Sequence, residues 1–232
     1  MKPIQCMARH GVIPIESLEL IQIDGREQFR VQEELSCCAG SGTLYLEEGI
    51  WRCSLNKRLS RLLELRRNFE TMWEQPFQLK ISDVAKKLAT KSLIAGKGFR
   101  IVGEVGKPNE LLWEVAKALV WLHGIAVYVG RVGDGLTRPQ EENAVVLVDS
   151  FAGQKVGSVE TLVSWCYGAC LPFWISEVKK SKKQVTGRYA KMIEKKASER
   201  SEKSWFDKTD DPSLQRKLWK ICHNKIFVPG IE

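Results

Sequence analysis

GKGFRIVGEVGKPNELLWEVAKALVWLHGIAVYVG, residues 96–130, and ENAVVLVDS, residues 142–150, are the stretch whose reading decides the fold. Phe99-Arg100-Ile101-Val102 is a short β-prone run between glycines. Pro108-Asn109 opens a helix, with proline in the first turn, where its missing N–H costs nothing. Leu111, Leu112, Val115, Leu119 and Leu122 recur at helical spacing, and Trp113, Val120 and Trp121 widen the stripe until the helix is predicted to be covered on most sides. Gly124 ends it in the usual C-terminal position. Ile125–Val129 and Ala144–Val148 are near-continuous apolar runs, the mark of buried strands. The order is strand, helix, strand, turn, strand.

Outward from this centre, residues 1–56 form a predicted β-rich unit. Leu18–Ile23 ends at Asp24-Gly25, a hairpin-type turn, and Gln28–Val31 follows. Thr43–Leu46 and Ile50–Cys53 flank a second turn. A helix is expected from Ser54 to Glu74, with Leu55, Leu59, Leu62, Leu63, Phe69 and Trp73 on one side, and a shorter one over Asp83–Thr90 capped by Ser82. Beyond the centre, Ser158 caps a helix over Val159–Cys170. A long basic helix is predicted from Ile175 to about Arg200, with Ile175, Val178, Val185, Tyr189, Met192 and Ile193 as its apolar edge. A last helix is expected from Asp211-Pro212 to Lys225. The fold class is α+β, in three regions: a β-rich, cysteine-bearing unit (1–56), an α+β core with a leading basic helix (57–157) and a basic helical C-terminal region (158–232).

With 232 residues, 44% of them hydrophobic, the chain can bury a sizeable core. Its net charge of +8 is unevenly placed. Fifteen of the 36 basic residues and seven of the 28 acidic ones lie between Glu177 and Lys225, leaving 21 of each elsewhere. All the excess charge is in the last quarter, which points to a polyanion, most often nucleic acid. The basic residues that carry this expectation are Lys179, Lys180, Lys182, Lys183, Arg188 and Lys191 in the tail, with Arg58, Arg61, Arg66 and Arg67 as a second patch. Arg131 and Arg138 belong to the connection from Gly130 to Asn143, longer than the two to five residues a plain hairpin needs, and are candidates for contact with a base edge. For any one of these side chains, a solvated surface is the ordinary alternative.

Seven cysteines, an odd number, with no apolar leader after a charged start, indicate a reducing, cytosolic compartment. No membrane span is expected, because the most apolar window, Leu111–Gly130, contains Glu114, Lys117 and His123. Cys6, Cys37, Cys38 and Cys53 cluster in the first quarter and are the expected ligands for a Zn²⁺ ion, with His10 as a substitute. Buried free thiols compete with that reading, and are the expectation for Cys166 and Cys170.

Catalytic signals are thin. Tyr128-Val129-Gly130 with Arg138 resembles the second half of the GIY-YIG nuclease motif, but a full helix stands where its first half belongs. Asp149 and Lys155, with Glu110 or Glu114, are the residues a metal-dependent nuclease would use, although Gly153 stands where such a site commonly has a carboxylate. Gly96-Lys97-Gly98 and Gly103–Gly106 are shorter than a phosphate-binding loop and lack its Lys-Ser/Thr ending. Only three histidines are available as bases.

The cysteine set, the size and the basic tail together resemble the compact large-subunit-like protein of type IV CRISPR effector complexes. That resemblance implies a zinc-bearing N-terminus and a cytoplasmic role in antiviral defence. It also implies a place at one end of a guide-RNA ribonucleoprotein, in contact with the short motif beside the DNA target. The expected function is therefore a non-catalytic subunit that binds RNA and DNA beside other protein subunits. The alternatives are the metal-dependent nuclease and a structural subunit whose basic tail binds an acidic protein.

Overall fold

A computed structural model describes residues 13–31, 43–46, 49–52, 54–73, 75–103, 107–131, 145–149, 157–178 and 212–228. It contains both α and β structure, as the α+β expectation requires. The chain groups into two compact units: Met1–Lys91 with Glu114–Val127, and Ser92–Trp113 with Tyr128–Glu232.

The first unit opens with the hairpin of β1 (Leu18–Ile23) and β2 (Arg26–Val31), antiparallel from Leu18 opposite Val31 to Ile23 opposite Arg26. Asp24 and Gly25 both have positive φ, at 51° and 72°, which a two-residue turn matching the strand twist demands. A second antiparallel pair, β3 (Thr43–Leu46) and β4 (Gly49–Arg52), follows. Helix α1 (Ser54–Trp73) buries Leu55, Leu59, Leu62 and Leu65 and packs on β2, where Phe29 and Val31 are buried. Ser82 caps α2 (Asp83–Ala95): its hydroxyl oxygen accepts from the Ala85 N–H at 3.3 Å, and its own N–H and O–H both donate to the Glu114 carboxylate.

Lys117 is buried on helix α3 (Lys107–Trp121) and donates its ammonium to the Gln78 carbonyl at 2.8 Å, 5.3 Å from the centre of the Phe77 ring. Burial lowers its pKa to about 8 despite the opposing pull of Glu114 and Glu16. From Leu111 to Trp121, α3 is buried on nearly every side, as its apolar sequence predicts.

The second unit is built on a five-stranded sheet in the order β6-β7-β8-β5-β9. Its strands are β5 (Gly98–Gly103), β6 (Val127–Arg131), β7 (Val145–Asp149), β8 (Phe173–Val178) and β9 (Cys222–Val228). β7 and β8, β8 and β5, and β5 and β9 pair in parallel. Every residue of β5 is buried, as expected of a central strand covered on both faces. Phe173 and Ile175 of β8 join Leu162, Val163 and Cys166 of α4 (Gly157–Gly168) and Leu214, Leu218 and Ile221 of α5 (Pro212–Ile221) in one apolar cluster. Trp174, with the opposite parity, packs against Phe99 with 5.0 Å between ring centres and the rings tilted by 55°.

Two sequence expectations are corrected here. Residues 173–178 are strand β8, so the helix predicted to begin at Ile175 does not do so; the pairing of Arg100 with Ile175 and of Val148 with Ile175 holds this segment extended between two strands. The last helix stops at Ile221 rather than Lys225, because Cys222 onward pairs with β5. Cys170 also departs from the buried-thiol reading. It is exposed, with φ of 54°, in the turn after α4, whereas Cys166 is buried and its thiol is pushed up to about 12 by burial.

Candidate nucleic-acid interface

The four arginines of α1 have different surroundings. Arg58 donates to the carbonyl of Trp121, and Arg61 donates to the carbonyl of Gly124 at 2.6 Å. These carbonyls lie at the C-terminal end of α3, where backbone acceptors have no helical partner. Gly124, with φ of 67°, closes the helix: its N–H reaches the Val120 carbonyl at 3.1 Å, and the Ile125 N–H reaches that of Leu119 at 3.0 Å. Burial, and then the charge of Arg61, lower the pKa of Arg58. Arg66 pairs with Glu27 at 3.1 Å and with Glu70 at 2.9 Å. Arg67 is the exposed member of the patch. His123, beside this corner, is 3.3 Å from the Thr90 hydroxyl, and burial, then Arg58, keep its pKa below the usual imidazole value.

Arg138, Lys179, Lys180, Lys182, Lys183, Arg188, Lys191, Lys155 and the cysteines Cys6, Cys37, Cys38 and Cys53 lie outside the described residues, as does the side chain of Arg131, whose backbone ends β6. Among the described residues, no group of three His, Cys, Asp or Glu side chains is arranged to hold a metal ion. No described helix is long and apolar enough to cross a membrane.

The sheet brings together residues that are far apart in sequence. After β5 the chain leaves for the far edge as β6, returns through β7 and β8 to lie beside β5, and crosses to its other side as β9. In open parallel sheets, ligands bind outside the carboxyl ends of the strands, where the order reverses. Gly103, the last residue of β5, is opposite both Val178 and Val228, and Asp149, the last of β7, is opposite Ser176. Three residues separate Gly103 from Lys107, the first of α3, so Gly-x-x-Gly-Lys occupies the strand-to-helix junction where phosphate-binding loops occur. Pro108 takes the place of the hydroxyl residue that would hold Mg²⁺. Asn109, in the first turn of α3, is buried, and its amide oxygen has no hydrogen-bond partner among the described residues.

Sequence reasoning placed a helix over α5 but did not single out its outer face as a candidate site. Its exposed face carries Arg216, Trp219 and Lys220, and Trp219 is 75% exposed. Helical spacing from the buried Leu214, Leu218 and Ile221 would have found that face.

No protein family and no curated protein matches the chain. Among solved structures, the chain is similar to one titled "Crystal structure of the DnaC helicase loader", with 14% identity, 73% of this chain and 90% of that chain covered, and a TM-score of 0.35. At that score the likeness bears on neither mechanism nor partner.

Proposed function

We propose that this chain is a non-catalytic nucleic-acid-binding subunit of a larger ribonucleoprotein. The observation that carries the reading is the placement of charge: the whole net charge of +8 lies between Glu177 and Lys225. In its specific form, taken from the resemblance to the type IV CRISPR large-subunit-like protein, the partners are guide RNA, target DNA and the other proteins of the effector, and Cys6, Cys37, Cys38 and Cys53 hold a zinc ion. Binding of a labelled duplex is expected to weaken steeply with salt. Replacing Lys179, Lys180, Lys182 and Lys183 with glutamate is expected to flatten that dependence by roughly one unit of log–log slope for each phosphate that is no longer neutralised. An unchanged slope would assign the tail to protein or solvent.

The strand order favours a second reading, binding of a nucleoside triphosphate at the carboxyl edge of the five-stranded sheet. Gly103, Gly106 and Lys107 lie at the junction of β5 and α3, and the unpartnered Asn109 oxygen is two residues further on. Phosphate-binding loops at such a junction use backbone N–H groups and a lysine, and Pro108 brings no hydroxyl for Mg²⁺. The expected behaviour is binding that does not depend on magnesium, without turnover, and abolished in Lys107→Ala. Titration with a fluorescent ATP analogue tests it; no binding up to about 1 mM, an affinity of only about −4 kcal/mol, would dismiss it.

A further inference from the structure

We propose that the exposed face of α5 is a base-stacking platform for single-stranded nucleic acid, with Trp219 as the stacking surface and Arg216 and Lys220 as its phosphate contacts. The proposal rests on the nucleic-acid reading above and gives that reading a site outside the tail.

Helix α5 has two unlike faces. Leu214, Leu218 and Ile221 are buried in the cluster with α4 and β8, which fixes the orientation of the helix. At 100° per residue, Arg216 points directly away from that stripe, with Trp219 on one side of it and Lys220 on the other. All three are exposed, and 75% exposure leaves most of the indole surface in water. A side chain that can bury 150–250 Å² is costly to leave there without a use.

On its own helix, the charge beside this indole is of one sign. Pro212–Ile221 contains Arg216, Lys217 and Lys220 and no acidic residue. Lys97, in the turn after α2, donates its ammonium to the Trp219 carbonyl at 3.3 Å, adding a fourth cation at the last turn of the helix, where the helix dipole favours it. Lys220 is held over the half-buried Tyr167 ring at 5.5 Å and within 3.3 Å of its hydroxyl, and Lys217 is held 3.1 Å from the Ser164 hydroxyl. Among the described residues, Arg216 has no ion-pair partner.

This combination selects among polyanions. An acidic protein surface would use the cations and leave the indole face without a planar partner. Duplex bases are already stacked and cannot reach it. An unpaired base offers a flat π-face beside a phosphate, which is the pairing that single-strand binding surfaces use. RNA and DNA share this chemistry.

The test uses the full chain with labelled oligothymidylate and oligouridylate of about 20 nucleotides, longer than the roughly 4–16 nucleotides one such surface covers. A duplex of the same length is the reference, since its affinity comes from phosphate contacts. Trp219→Ala is expected to weaken binding of at least one single strand by about tenfold, the loss of one base stack, while Trp219→Phe loses less than about threefold. Which strand responds decides between RNA and DNA. Because the indole is exposed, the melting temperature of Trp219→Ala should match that of the parent, so a folding defect is distinguishable. The proposal is overturned if Trp219→Ala binds both single strands as the parent does, or if it weakens duplex binding equally. In the first case the nucleic-acid reading survives, provided the parent still binds with a steep salt dependence. If the parent binds no nucleic acid, that reading itself fails.

Discussion

Gly98→Ala is expected to destabilise the five-stranded sheet more than any other single methyl group added to the described glycines. A Cβ at residue 98 would fall on the backbone carbonyl group of Phe173 and lie 2.7 Å from Trp174 Cδ1. The carbonyl cannot retreat easily. It belongs to β8, which is held by β7 on one side and β5 on the other, and the Phe173 and Trp174 side chains are fully buried on opposite faces. Overpacking of a well-filled core costs about 1–3 kcal/mol and sometimes more. A clash with backbone belongs at the upper end, so a loss of about 3 kcal/mol is expected, a large share of the roughly 5–15 kcal/mol that holds most proteins folded. Gly96→Ala is the control two residues away: nothing lies within 4 Å of its Cβ, and its only cost is a φ of 63°, about 1–2 kcal/mol. Urea unfolding followed by tryptophan fluorescence measures both. Equal midpoints for the two variants would mean that β5 and β8 do not approach as closely as described.

Arg58→Ala combined with Arg61→Ala is expected to cost stability and leave nucleic-acid affinity unchanged. Each guanidinium satisfies a carbonyl at the end of α3, and a hydrogen bond from a charged group contributes about 1.5–3 kcal/mol. The pair act on the same corner, so their losses are not independent, and about 3 kcal/mol for the double variant is the expected scale. Arg67→Ala, at the exposed position of the same helix, should leave stability unchanged within about 0.5 kcal/mol. Thermal unfolding and oligonucleotide binding on the same three proteins separate the roles. A double variant that melts like the parent but binds weakly would return Arg58 and Arg61 to the interface.

Local chemistry made much of this architecture legible. Asp24-Gly25 announces a two-residue hairpin, Ser82 a helix start and Gly124 a helix end, because each depends on backbone conformation within a few residues. The leucines of α1 and the apolar α3 predict helices by period alone. That signal ran out where period and partner disagree. Ile175 and Val178 are three apart, a spacing that suits a helix edge, yet parallel partners on both sides hold 173–178 extended. Past Ile221, likewise, pairing with β5 ends the helix.

Tertiary structure alone decided the rest. Strand order arises from pairings between residues far apart in sequence, as in Arg100 with Ile175 and Gly98 with Cys222, and no short-range pattern encodes them. What each arginine of α1 meets depends on what lies opposite it: Arg58 and Arg61 donate to carbonyls 63 residues away, whereas Arg67, on the same helix, is exposed. Trp219 makes the same point. Leu214, Leu218 and Ile221 claim the buried face of α5, and the geometry of a helix leaves Trp219 outside.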